Sequence, residues 1–168
     1  MSQHLRRPGD GVVIIALVGS TLVLLIKEIT KPAPHFLKLI SEKLHKDEPL
    51  KQAVCRAVQE EAGLENLQLY EREGGVLETA DDRILSIEVL VQPEELLGRN
   101  PHWRYVYVLR CDDGLVASLA GKRLVGDADE IIDTYACKLH NLHMLPGILA
   151  PHRQLIARFS RSDAAAAG

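Results

Sequence analysis

Residues 48–64 read EPLKQAVCRAVQEEAGL, and the fold assignment turns on this stretch. Leu50, Ala53, Val54, Ala57 and Val58 recur at helical spacing, the pattern of a helix with one apolar face. Glu48 and Pro49 open it, because proline is favoured in the first turn and an acid there suits the helix dipole. Gly63 ends it as a C-terminal cap should. The product is an amphipathic helix of about four turns at 3.6 residues each. Positions 57, 60 and 61 are expected to share one face, so Glu60 and Glu61 would repel unless a cation lies near them. Magnesium suits such a pair, since it takes oxygen ligands and binds through one or two carboxylates plus substrate phosphates. A solvated acidic helix face, with Lys51 and Arg56 as partners, accounts for the same residues.

Upstream, VVIIALV (12–18) and TLVLLIK (21–27) are apolar and β-rich, and the Gly19-Ser20 break between them reads as the turn of a buried hairpin. The run is shorter than the roughly 20 residues a membrane span needs, and Lys27 and Glu28 follow it in place of a cleavage site. Pro32 and Pro34 then mark a loop. Downstream, LQLYEREGGVLET, RILSIEVLVQP, HWRYVYVLRC and IIDTYACKL read as strands, the third as a half-buried alternating one. PEELLG suggests one helical turn, and GDADE an acidic loop. His140 to Ser160 has mostly helical period, divided at Pro146-Gly147 and at Pro151. We expect an N-terminal arm at 1–9, a single domain over 10–160 and a frayed tail at 161–168. The order of hairpin, loop, helix, strands and helix implies an α/β (α+β) sandwich with the sheet between helices.

The chain has 168 residues, 46% hydrophobic and 26% charged, with a formal net charge of −3. That length suits one domain with a proper core. Lacking a basic excess, the composition argues against nucleic-acid or acidic-membrane partners and for a small-molecule ligand. Three widely spaced cysteines, Cys55, Cys111 and Cys137, form no CxxC pair, which argues for a reducing, cytoplasmic setting.

Residues 42–64 resemble the Nudix box: a glycine, five residues, a glutamate, seven residues, then Arg-Glu-aliphatic-x-Glu-Glu-x-Gly-aliphatic. In that register Glu48, Arg56, Val58, Glu60, Glu61, Gly63 and Leu64 match, whereas Glu42 replaces the glycine and Ala57 the first glutamate. The resemblance extends to the opening hairpin, to WRYVYVL and to the closing segment, covering about residues 10–160. It implies a Nudix-type α/β/α sandwich with a mixed central sheet. It also implies a divalent-metal-dependent hydrolase, similar to ADP-ribose pyrophosphatases, acting on a nucleoside-diphosphate-linked small molecule. Glu60 and Glu61 would then hold Mg2+ or Mn2+, with Glu48, Arg56 and Gly63 as supports of the box and Glu130 of the acidic loop as a further catalytic carboxylate. Homodimers are common in the family, so a homodimer is a plausible assembly.

The two departures weaken the expected site. Losing a ligand at Ala57 should cost at least the roughly 10- to 100-fold that follows loss of a supporting partner. Glu42 adds negative charge near an anionic ligand and, where its position requires positive φ, strain. Two readings therefore stand: a hydrolase with weakly bound metal, and a non-catalytic Nudix-fold module that binds nucleotides or partners. Of the other patterns, Cys137, His140 and His143 have a metal-like spacing among leucines that suit helix packing. Trp103, Tyr105 and Tyr107 alternate as sheet-packing residues do.

Overall fold

Gly11–Val18 forms strand β1, and it is buried from end to end. Such a strand cannot lie at a surface; it needs a layer on each face. The computed structural model, which describes residues 8–18, 21–73, 76–92, 103–145 and 147–167, supplies both layers. Val12, Ile14, Ala16 and Val18 pack into one core, and Val13, Ile15 and Leu17 into another on the opposite face, the period-two alternation of a strand.

Leu22–Glu28 forms β2, antiparallel to β1 as the hairpin reading expected. Ile40–Lys43 forms β3, which pairs antiparallel with the first half of β1. Helix α1 spans Leu50–Ala62 and is capped by Gly63 at φ 76°, the left-handed conformation glycine adopts without penalty. Short strands β4 (Tyr70–Glu71) and β5 (Leu77–Glu78) make a separate ribbon. Strand β6 (Ile84–Gln92) pairs antiparallel with β7 (Arg104–Cys111), which runs parallel to β1. Helix α2 (Asp113–Leu119), strand β8 (Arg123–Val125), strand β9 (Ile131–Lys138) and helix α3 (Ala150–Ala167) complete the chain. The sheet order is β6-β7-β1-β2-β9-β8, with β3 beside β1. Helices α1 and α2 cover one face, and α3 covers the other with Leu155, Ile156 and Phe159. This is the expected α/β/α sandwich with a mixed sheet.

Several local expectations change. Glu48 does not enter the helix; Pro49 is the N-cap, and the Glu48 side chain turns back to Arg56. β7 is not the half-buried alternating strand expected, since Val106 to Leu109 are all buried. Pro151 lies inside the first turn of α3, where a missing N–H costs nothing. The same helix runs on to Ala167, through alanines of high helical propensity. Helix α2 was not anticipated, although Asp112 caps it by accepting from the Leu115 N–H at 2.7 Å. The PEELLG turn lies outside the described residues. Among the described residues, no helix is long and apolar enough to cross a membrane.

Candidate active site

The β1–β3 pairing carries the box loop onto the sheet. Gly11 is required there: a Cβ on it would lie 2.7 Å from the Glu42 carbonyl oxygen, so the two strands approach only because that side chain is absent. Glu42, in β3 opposite Val12, is an ordinary strand residue and has no positive φ. The strain expected from its replacing a glycine is therefore not present.

Arg56 closes the loop onto α1. Its Nε and Nη2 each donate to a Glu48 carboxylate oxygen at 3.0 Å, and Nη2 also donates to the Lys43 carbonyl at 2.7 Å. Glu48 in turn accepts from the His45 N–H at 3.1 Å. The Arg56 hydrogen bonds hold the Glu48 carboxyl below its ordinary range, outweighing its burial. A bidentate guanidinium–carboxylate pair has one good geometry, so this clamp sets where the carboxylates of α1 and β3 stand. Glu48 and Arg56 thus tie the loop to α1, and Gly63 caps that helix.

The expectation that positions 57, 60 and 61 share a face is corrected. Successive residues turn about 100° around a helix, and Glu61 is buried with Ala57 while Glu60 is exposed. Ala57 lies wholly in the core beneath the site, among Val12, Ala53 and Val58.

Above it opens a cleft of about 520 Å³ that gathers side chains from six segments. Glu60, Glu61 and Arg56 come from α1, Glu42 and Lys43 from β3, Glu28 from β2, Lys31 and Lys38 from the proline loop, Arg104 from β7 and Glu130 from the acidic loop. Five carboxylates thus face five basic side chains, and the volume falls within the usual range for small-ligand sites. Lys31, Lys38 and Arg104 escaped the sequence reading. They belong to no motif and meet only because β1, β2 and β7 are neighbours.

Glu61 sits deepest. One carboxylate oxygen accepts from the Ser41 N–H at 2.7 Å, and the other lies 3.9 Å from the Lys38 ammonium. Lys38 is held closer by Glu28, at 2.9 Å, and Glu28 pairs with Lys31 as well. Glu28 consequently titrates below its ordinary range, because those lysine contacts outweigh its burial. Glu61 does not share that benefit. Burial, aided by the charges of Glu42 and Glu28, pushes it up to about 8 against the pull of Lys38 and Ser41. Burial and the nearby Glu60 likewise raise Glu42. Glu130 also lines the cleft.

This donor set suits a hard cation. Glu61 is a buried carboxylate short of positive charge, with Glu42 and Glu60 in the same cleft offering only oxygen. Among the described residues, no three metal-ligating side chains converge into a ready cage. The fit is therefore to an ion held by one or two carboxylates and completed by ligand phosphates.

His152 of α3 was also missed. Its Nδ1 accepts from the Leu39 N–H at 2.9 Å, and burial, with the charges of Lys38 and Arg104, lowers its pKa to about 4. It is a neutral peg beneath the strand that carries Ser41.

The NUDIX domain pattern matches residues 5–159. No curated protein matches the chain. Among solved structures, a NUDIX-family hydrolase from Clostridium perfringens is similar at 16% identity and a TM-score of 0.53, covering 92% of this chain and 97% of that one. A MutT protein from Methanosarcina mazei Go1 is similar at 19% identity and a TM-score of 0.52, covering 95% and 99%. At such identities the likeness is one of fold. The family match spans nearly the whole sequence, and the chain belongs to the NUDIX domain family.

Proposed function

We propose that the protein is a Nudix-type hydrolase of a nucleoside-diphosphate-linked small molecule of the ADP-ribose kind, dependent on a weakly held Mg2+ or Mn2+ ion. The observation that carries this reading is Glu61, a buried carboxylate raised to about 8, at the head of a cleft that also holds Lys31, Lys38 and Arg104. The basic side chains suit phosphate oxygens; Arg104 donates to the main-chain carbonyls of Gly9 and Trp103 and lines the cleft with the buried Asp10 near its charge.

In this reading Glu61 and Glu60 hold the ion, with Glu42 near enough to contribute. A divalent ion, when bound there, neutralises charge on the diphosphate and lowers the pKa of an attacking water. The Ser41 N–H fixes one oxygen of Glu61 and leaves the other facing the cleft. Lys38 and Lys31, anchored by Glu28, orient the diphosphate. Glu130, which also lines the cleft, is the candidate to accept the proton from water. The Arg56–Glu48 clamp positions α1 against β3, and Arg56 Nη1 also lies 3.5 Å from Glu42 and 3.6 Å from Glu60.

Ala57 favours the second reading, a binding module without turnover, because a methyl group sealed in the core offers no oxygen at the position of the missing glutamate. Metal-dependent hydrolysis of a nucleoside-diphosphate panel by the natural chain and by Ala57→Glu separates the two. Turnover by the natural chain supports the hydrolase. Turnover by Ala57→Glu alone supports the binding module, and silence in both contradicts the hydrolase reading.

A further inference from the structure

Beside the main cleft lies a second pocket of about 230 Å³. The two share Glu28, Lys31 and Lys38 as a common wall. Beyond that wall the chemistry changes: the lining becomes Pro32, Pro34, His35, Phe36 and Leu149. The Phe36 ring is 42% exposed, a large apolar surface left in water at the rim of a cleft rich in charge.

This pocket is built and held. Lys38 and Ile26 exchange main-chain hydrogen bonds at 2.9 and 2.8 Å. Leu37 donates to the Gly147 carbonyl at 2.8 Å, and Leu149 donates back to Leu37 at 2.9 Å. His35 Nε2 lies 2.7 Å from the Lys31 carbonyl, which ties the imidazole to the loop's first turn. The residue between these anchors, Phe36, is thus fixed at the pocket without a hydrophobic layer over it. Rigid aromatic and proline surfaces lose little entropy on binding a flat ring, and at ~30 Å³ per water the space equals that of roughly eight waters.

From this arrangement we infer that the pocket is the subsite for the heteroaromatic ring of the ligand. The nucleobase stacks against Phe36 and the prolines, while the diphosphate reaches across Lys31 and Lys38 into the main cleft. The inference rests on the diphosphate reading of that cleft and adds to it where specificity for the non-phosphate half resides. Every nucleobase presents a π face to Phe36, so the subsite selects nucleotides over inorganic phosphates more strongly than it selects among bases.

Calorimetric titration of the full chain with α,β-methylene-ADP and with methylenediphosphonate, in the presence of Mg2+, tests this. The two probes carry the same uncleavable diphosphate with and without a nucleoside. The natural chain should bind the nucleotide more tightly. Phe36→Ala should weaken nucleotide binding on the order of 10-fold, the size of one lost base–aromatic stack, while diphosphonate affinity moves less than about twofold. Phe36→Trp should retain nucleotide binding and report it by a fluorescence change that methylenediphosphonate does not produce, which separates lost stacking from a damaged fold. An unchanged nucleotide affinity in Phe36→Ala, or a parallel fall for both probes, would overturn the subsite while leaving the diphosphate cleft standing. Failure of the natural chain to bind either probe would overturn both together.

Discussion

Replacing Arg56 with methionine is the most informative test of how the site is assembled. Methionine keeps the length and apolar stem of the side chain but removes the guanidinium. Glu48, whose side chain is only 4% exposed, then loses both 3.0 Å hydrogen bonds from the guanidinium and keeps that from the His45 N–H. The Lys43 carbonyl loses its 2.7 Å donor as well. Breaking a buried pair by removing one partner costs about 3–5 kcal/mol. Arg56 itself is 17% exposed and borders the cleft, so water can reach the abandoned carboxylate and the lower end, about 3 kcal/mol, is expected. The assay is urea unfolding at neutral pH. Adding Glu48→Gln to Arg56→Met removes the stranded charge and should recover at least about 1 kcal/mol, a coupling that independent sites would not show. The pH dependence has a definite sign. Arg56 holds the folded Glu48 carboxyl below its ordinary 4.5, so the pair's contribution is full above that value and is lost as pH falls through the depressed one. A loss under about 1 kcal/mol at neutral pH would refute the view that the clamp holds α1 against β3.

Two further outcomes follow from the same geometry. Metal-free, the folded chain keeps Glu61 protonated up to about pH 8 while the unfolded chain ionises near 4.5, so stability should fall across that interval and level off above it. At about 1.4 kcal/mol per pKa unit the loss is on the order of 5 kcal/mol; Glu61→Gln in EDTA should abolish it, and a parallel pH profile in the variant would contradict the assignment. Gly63→Ala forces a left-handed φ of 76° on a residue with a side chain and brings its Cβ within 3.0 Å of Leu124 Cδ2. It should cost about 1–2 kcal/mol, read as a fall of roughly 2–8 °C in melting temperature, and an unchanged melting curve would show that the cap is not needed.

The parts of this molecule that were legible in its sequence are those whose signals are local. The β1–β2 run, the period of α1 and the Gly63 cap each lie within one window of chain, and all appear as read. Helix α2 escaped because its seven residues begin among two aspartates and a glycine, which read as a turn, and only Leu115, Val116 and Leu119 reveal its apolar face. The matched positions of the box located Glu60 and Glu61 but not their different environments. Adjacent residues on a helix point about 100° apart, and only packing decides which of the two is buried. The basic half of the cleft was invisible for another reason. Arg104 lies 73 residues beyond Lys31 and 66 beyond Lys38, and sheet order brings them together. At Glu42 the backbone shows what a single motif position cannot display: it is an ordinary strand residue without positive φ, and the close approach there is made by Gly11 to its main-chain carbonyl.

The central claim is that Glu61 is the core of a metal-dependent hydrolytic site. Its most direct test is phosphate-bond hydrolysis of a nucleoside-diphosphate panel by the natural chain and by Glu61→Gln across a Mn2+ titration. Glutamine preserves the Ser41 hydrogen bond and the side-chain volume, so folding is retained while the anionic ligand is lost. The account predicts saturable, Mn2+-dependent turnover by the natural chain and a loss of at least about 10-fold in Glu61→Gln. Turnover that is indifferent to Mn2+ or to the substitution would contradict it.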